Sequence, residues 1–182
     1  VSARTHPWVA DHAALGSTLL PGTAFVELAA HAGGTAGLDL LEELTLHEPL
    51  VLPDEGAVLL QVMLDAPDAS GRRTVTVHGR TEDQGTPWVR HATGVLATGA
   101  AEAADLSQWP PAGAEPLALD GLYERLRARG YDYGPVFQGL RAVWRAGEDV
   151  FAEVVLPGQT RDEAGRFGLH PALLDAALHA SL

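Results

Sequence analysis

The stretch P-G-T-A-F-V-E-L-A-A-H-A-G-G, residues 21–34, decides the fold. Residues 24–32 are apolar nearly all round, broken only by Glu27 and His31, and a helix without a polar stripe is one that other elements must cover. Pro21 and Gly22 mark its start, and the pair Gly33 and Gly34 its stop. Downstream, residues 44–52, 57–64, 73–80 and 88–96 are rich in Val, Leu and Thr and predict strands. Turn-forming residues at 53–56 and 68–71 separate the first three, and 83–87 lead into the fourth. One buried helix followed by a meander of antiparallel strands predicts an α+β arrangement, a sheet wrapped on a helix.

Farther along, residues 99–116 are rich in Ala, Gly, Pro and acids and predict a linker. A helix is expected from about Leu117 to Arg129, with Asp120 as its cap and Gly130 as its end. Residues 137–144 and 149–156 predict a hairpin turning at Ala146, Gly147 and Glu148, and residues 171–182 an apolar helix. Each half has a histidine, His12 or His170, ahead of a proline-started apolar helix, which points to a pseudo-repeat. The division is then 1–98, a linker 99–116, and 117–182. The second half lacks the strands that follow the helix in the first, so a shared plan makes the second half incomplete.

Composition narrows the function classes. The 182 residues are 46% hydrophobic, enough for one domain with a core. No apolar run is long enough for a membrane span, and no basic segment precedes an apolar one as in a secretory signal. The absence of cysteine removes disulfides, thiolate metal sites and cysteine nucleophiles, and fits a cytoplasmic location. All 12 basic residues are arginine, which suggests a GC-rich bacterial genome, and they face 24 acids. A net charge of −12 argues against nucleic acid as a partner.

Three places carry candidate chemistry. His12 opens H-A-A-L-G-S-T-L-L-P; imidazole titrates near neutrality and suits abstraction of a weakly acidic proton. Gly16 would permit close backbone approach, and amides at the helix head by Pro21 and Gly22 could polarise a carbonyl. Residue types alone leave open a turn histidine without a role. Asp175 and His179 stand four apart, on one helical face amid Ala and Leu. Burial favours the protonated carboxyl, so an acid there is a candidate proton donor; a partly exposed acid bonded to its neighbour is the alternative. A metal held by His12, Asp175 and His179 is allowed by geometry, but no strict ligand spacing supports it. Tyr133, ahead of Gly134 and Pro135, would sit on a rigid turn and bond a substrate hydroxyl, or simply pack. Ser17, Thr18 and Thr23 lie close to His12, but without a G-x-S-x-G elbow a serine hydrolase is not expected. Arg125, Arg127 and Arg129 form a local cationic cluster, either a docking patch for an acidic partner or a solvated helix face.

Taken together, the chain resembles the dehydratase domain of modular (type I) polyketide synthases. His12, Gly16 and Pro21 fit H-x-x-x-G-x-x-x-x-P; Tyr133, Gly134 and Pro135 form Y-G-P; Asp175 and His179 fit D-x-x-x-Q/H. R-T-H-P-W-V-A-D-H and E-E-L-T-L-H-E-P-L-V-L-P are also similar to that family. The resemblance implies a double hotdog, with two helices each wrapped by an antiparallel sheet and the second hotdog truncated. It implies catalytic His12 and Asp175 meeting across one channel, with Gly16, Pro21, Gly22, Tyr133, Gly134, Pro135 and His179 at the substrate. The implied reaction dehydrates a β-hydroxyacyl thioester carried on the phosphopantetheine of an acyl carrier protein, with no metal or redox cofactor. A double-hotdog isomerase or cyclase, a non-catalytic megasynthase scaffold and a thioesterase are the competing readings. Expected partners are the acyl carrier protein, neighbouring synthase domains and a second copy in a homodimer.

Overall fold

The computed structural model describes residues 1–83, 85–99 and 105–181. After a 3-10 turn at Pro7–Asp11 come β1 (His12–Ala14), β2 (Ser17–Thr18) and α1 (Gly22–Thr35). Four strands follow, β3 (Leu40–Leu46), β4 (Val58–Leu64), β5 (Arg73–Thr81) and β6 (Val89–Ala97). The second half holds β7 (Glu115–Leu117), α2 (Leu122–Ala128), β8 (Tyr131–Tyr133), β9 (Leu140–Ala146), β10 (Asp149–Val154), α3 (Gly158–Ala164) and α4 (Pro171–Leu178).

Strands β3 to β6 form one antiparallel sheet in the order β3-β6-β5-β4, and α1 lies across it, burying Phe25, Ala29 and Gly33. The helix is not covered all round, for Ala30, His31, Gly34 and Thr35 face solvent. Nor does it stop at the glycine pair. A Cβ on Gly33 would lie 2.9 Å from the Leu38 carbonyl and 3.0 Å from Leu96, so that glycine serves close packing. The stop is Gly37, left-handed at φ +74. The Leu38 amide bonds the Gly33 carbonyl at 2.9 Å and the Gly37 amide bonds that of Gly34 at 3.3 Å, the paired closure that a left-handed residue permits at a helix end.

The second helix-on-sheet layer is smaller: β10-β9-β7 with α4 against β10, and α4 also meets α1. A single core joins the halves, running from Trp8, Leu20, Phe25 and Val77 to Phe137, Val143, Leu156 and Ala172. The α+β double-hotdog layering expected from the sequence is therefore present, with three strands on the second sheet among the described residues.

Several boundaries differ from expectation. The first strand of the large sheet spans Leu40–Leu46 rather than 44–52; beyond it Leu50 and Leu52 turn into the core, and Val51 makes a single bridge to Leu19. The linker ends early, because Glu115 and Pro116 already pair with Arg145 and Trp144; residues 100–104 of it, and Leu182 of the last helix, lie outside the described residues. Residues 117–121 are not helical. The helix starts at Leu122 after Gly121, left-handed at φ +68, and no side chain caps it; the Asp120 carbonyl instead accepts from Arg125 at 2.6 Å. Phe137 belongs to a 3-10 turn, Pro135–Phe137, and not to the hairpin. The pseudo-repeat is inexact: His12 lies on a strand, whereas His170 directly caps α4, its Nδ1 accepting the Ala172 amide at 3.2 Å.

Candidate functional site

The site begins with a tight hairpin. Ala14 pairs with Ser17, leaving Leu15 and Gly16 as a two-residue loop at φ +52 and +80. Two left-handed residues are what such a loop demands. Gly16 is exposed, and a Cβ on it would meet nothing within 4 Å. The glycine answers to turn geometry, with open space beside it.

Strand β1 pairs on its other edge with β8, and this is where the halves join. The register sets His12 opposite Tyr133, with ring centroids 5.5 Å apart. Cross-strand partners share a face of the sheet, so the pairing brings a ring from each half to one place. Phe137 lies 5.0 Å from His12 on another side. The His12 Nδ1 stands 2.9 Å from the Leu19 carbonyl. A carbonyl only accepts, so Nδ1 carries the hydrogen and the neutral ring keeps its lone pair on Nε2. Burial pushes the His12 pKa below the ordinary 6.5, and the Asp175 charge acts in the opposite sense. The ring is thus neutral near pH 7 and within electrostatic reach of Asp175.

Asp175 arrives in the second turn of α4 and is buried. His179 follows in the 3-10 turn His179–Ser181 and is buried too, its Nε2 3.1 Å from Asp175 Oδ2. That separation is short but poorly aligned: Asp175 Oδ2 and both His179 nitrogens have no hydrogen-bond partner. A buried polar atom left unpaired costs about 1–3 kcal/mol, and native proteins keep few of them. Here they are clustered. The Tyr133 ring closes the gap, 4.3 Å from His179, and Tyr123 lies 5.8 Å from the same ring. Burial first, and the Asp175 charge second, push the Tyr133 phenol up to about 12, so it stays a donor.

Sequence reasoning missed Asp11. Its carbonyl accepts the Gly134 amide at 2.7 Å and its carboxylate the Val136 amide at 2.8 Å, binding the Tyr133-Gly134-Pro135 turn to the residue beside His12. A Cβ on Gly134 would collide with the Asp11 carboxylate. The available signal was an acid immediately before His12. Pro21 is buried as the N-cap of α1, and Gly22 opens the helix, where a Cβ would lie 2.9 Å from the terminal methyl of Leu46, a half-exposed side chain with room to move. The arginine cluster finds local partners: Arg127 pairs with Asp132 at 3.0 Å with both largely exposed, and Arg125 binds the Asp120 carbonyl. Among the described residues no group of three or more His, Asp or Glu is arranged to hold a metal ion, and no helix is long and apolar enough to cross a membrane.

Comparison with known proteins agrees with this geometry. Residues 1–80 match the family model "Polyketide synthase dehydratase domain" and residues 101–182 the model "Polyketide synthase dehydratase N-terminal domain". The chain is 60% identical over 185 residues to polyketide synthase GfsA of Streptomyces halstedii, covering 99% of this chain but 2% of that protein. It is 59% identical over 187 residues to the pikromycin polyketide synthase component PikAII of Streptomyces venezuelae, covering 100% of this chain and 5% of that one. Both relatives are far longer synthases. Among solved structures, the dehydratase domain from the terminal module of the rifamycin polyketide synthase superposes with a TM-score of 0.91 at 49% identity, with 100% of this chain and 68% of that chain covered. A fold of two helix-backed sheets, one shared seam of His12, Tyr133, His179 and Asp175, and this degree of identity have one reading: the chain belongs to the dehydratase domains of polyketide synthases.

Proposed function

We propose that this chain is a hydro-lyase that dehydrates a β-hydroxyacyl thioester on an acyl carrier protein to the α,β-enoyl thioester. The observation that supports this most is the seam that joins a neutral, half-buried histidine from one half to a buried carboxyl from the other through the Tyr133 and His179 rings. Elimination of water needs both: a base for the α-hydrogen and an acid for the departing hydroxyl.

In this reading His12 Nε2 takes the α-proton, the Cα–H pair becomes the new π bond, and the β-carbon releases its oxygen. Asp175, in its acid form, supplies the proton that makes the leaving group water. Enolate-like charge on the thioester oxygen falls to a backbone amide such as that of Gly22, at the head of α1 behind Pro21, which has no N–H to give; this head is tied to His12 through Leu19. Tyr133 and His179 orient the hydroxyl and the Asp175 carboxyl, while Gly134 and Pro135 fix the turn that carries Tyr133. Gly16 acts through the hairpin that presents His12. With the second hotdog beginning at β7, the base belongs to the first hotdog, residues 1–98, and the acid to the second. The partners are the carrier protein, whose phosphopantetheine arm delivers the substrate, neighbouring synthase domains and a second copy. The setting is the bacterial cytoplasm.

Incubation with both β-hydroxyl epimers of a carrier-bound thioester tests this by mass spectrometry. Loss of one water from one epimer is expected. Release of free acid would identify a thioesterase, and an unchanged substrate a scaffold.

A further inference from the structure

Between the two helices lies a set of contacts that the reaction does not use. Thr23 and Glu27 stand one turn apart on α1, on the face that meets the approach to α4. The Thr23 hydroxyl, buried, donates to the Pro171 carbonyl at 2.9 Å. The Glu27 carboxylate accepts two consecutive amides, Gly168 at 2.8 Å and Leu169 at 3.1 Å. Both contacts span more than a hundred residues of sequence, and both end on the short segment from which α4 springs.

We propose that Thr23 and Glu27 are positioning residues for Asp175, holding the start of α4 so that its carboxyl faces His12. Pro171 lies four residues before Asp175, so its carbonyl is the one the helical pattern pairs with the Asp175 amide. Thr23 therefore binds the peptide group to which Asp175 is anchored. On the other side the His12 ring is fixed to the Leu19 carbonyl, two residues before the Pro21 N-cap of α1. The head of α1 is thus fastened to the base through Leu19 and to the acid through Thr23. Glu27 adds a two-point, charged grip on the same segment, and hydrogen bonds to a charged group are stronger than neutral ones. Between the two grips His170 sits buried, 5.2 Å from Trp8 and 4.7 Å from Phe167, and takes the Ala172 amide.

This rests on the dehydratase reading above, and the test separates the two. Thr23→Val, Thr23→Ser and Glu27→Gln are made in the full chain, with a β-hydroxyacyl thioester of the carrier protein as substrate. Misplacement by about 1 Å costs on the order of 100-fold, so Thr23→Val and Glu27→Gln should lower kcat by about 10- to 100-fold. KM should change by less than about threefold, since ground-state binding is untouched; Thr23→Ser, which keeps the hydroxyl, restores turnover. The second readout needs no turnover: hydrogen exchange of the Asp175 backbone amide, followed by NMR. With the Pro171 carbonyl released by Thr23, or the Gly168 and Leu169 amides by Glu27, the start of α4 opens more readily, so that amide exchanges at least about threefold faster in both damaging variants. Glu27→Gln, at a less buried site, serves where Thr23→Val does not fold. Unchanged exchange of the Asp175 amide in the folded variants would overturn the proposal, whatever happens to turnover.

Discussion

Replacing Gly134 by alanine should damage the protein through one contact. The backbone there, φ −76 and ψ 177, suits alanine, so no conformational penalty enters. The added methyl instead lands on the Asp11 carboxylate, which the Val136 amide holds at 2.8 Å. Overpacking of this kind costs typically about 1–3 kcal/mol. If Asp11 yields, a hydrogen bond to a charged group worth about 1.5–3 kcal/mol is lost in its place. Either route gives a loss of roughly 1–3 kcal/mol, which lowers Tm by about 2–12 °C for a domain of this size. A double-mutant cycle with Asp11→Ala, read by thermal or denaturant unfolding, isolates the cause. With the carboxylate gone the methyl has room, so Gly134→Ala should cost less than about 1 kcal/mol in the Asp11→Ala background. Equal costs in both backgrounds would refute the collision and with it the role given to Asp11.

Two further outcomes follow from the same structure. Because burial sets the His12 pKa below 6.5, the acid limb of kcat/KM for dehydration should have its midpoint below pH 6.5; a midpoint above 6.5 would contradict the buried neutral base. His12 and His170 both have folded pKa values depressed by burial, so the stability they contribute is present above the unfolded value of about 6.5 and lost as pH falls through the folded values. Melting temperatures recorded from pH 7 downward should therefore fall. Gly37→Ala places a Cβ at φ +74 and should cost about 1–2 kcal/mol of stability, with dehydration unchanged; an unaltered Tm would show that α1 ends by another device.

The long elements were legible because their patterns repeat. The apolar residues of α1 and the Val-, Leu- and Thr-rich runs of β4, β5 and β6 declare themselves over seven or more positions. The three-residue strands β1, β7 and β8 do not, since their identity comes from partners elsewhere in the chain. Gly33 and Gly34 misled for a similar reason: whether a glycine ends a helix or admits a neighbour depends on what lies opposite. His12 and Asp175 were named from motif resemblance, and their proximity emerges only through the pairing of β1 with β8 and the packing of α1 on α4. Asp11, Thr23 and Glu27 show in the sequence only as an acid beside His12, a threonine at the helix head and a break in an apolar run; what they hold is not legible there, because each acts on backbone groups more than a hundred residues away.

The central claim is that His12 and Asp175 act together on one substrate. Turnover of a carrier-bound β-hydroxyacyl thioester by His12→Phe, Asp175→Asn and the double variant, each checked for folding, measures this directly. Residues that act as a unit are strongly non-additive. The account predicts that each single variant abolishes water loss and that the double variant is no slower than the worse single one. Multiplying defects, or full dehydration by either single variant, would contradict it.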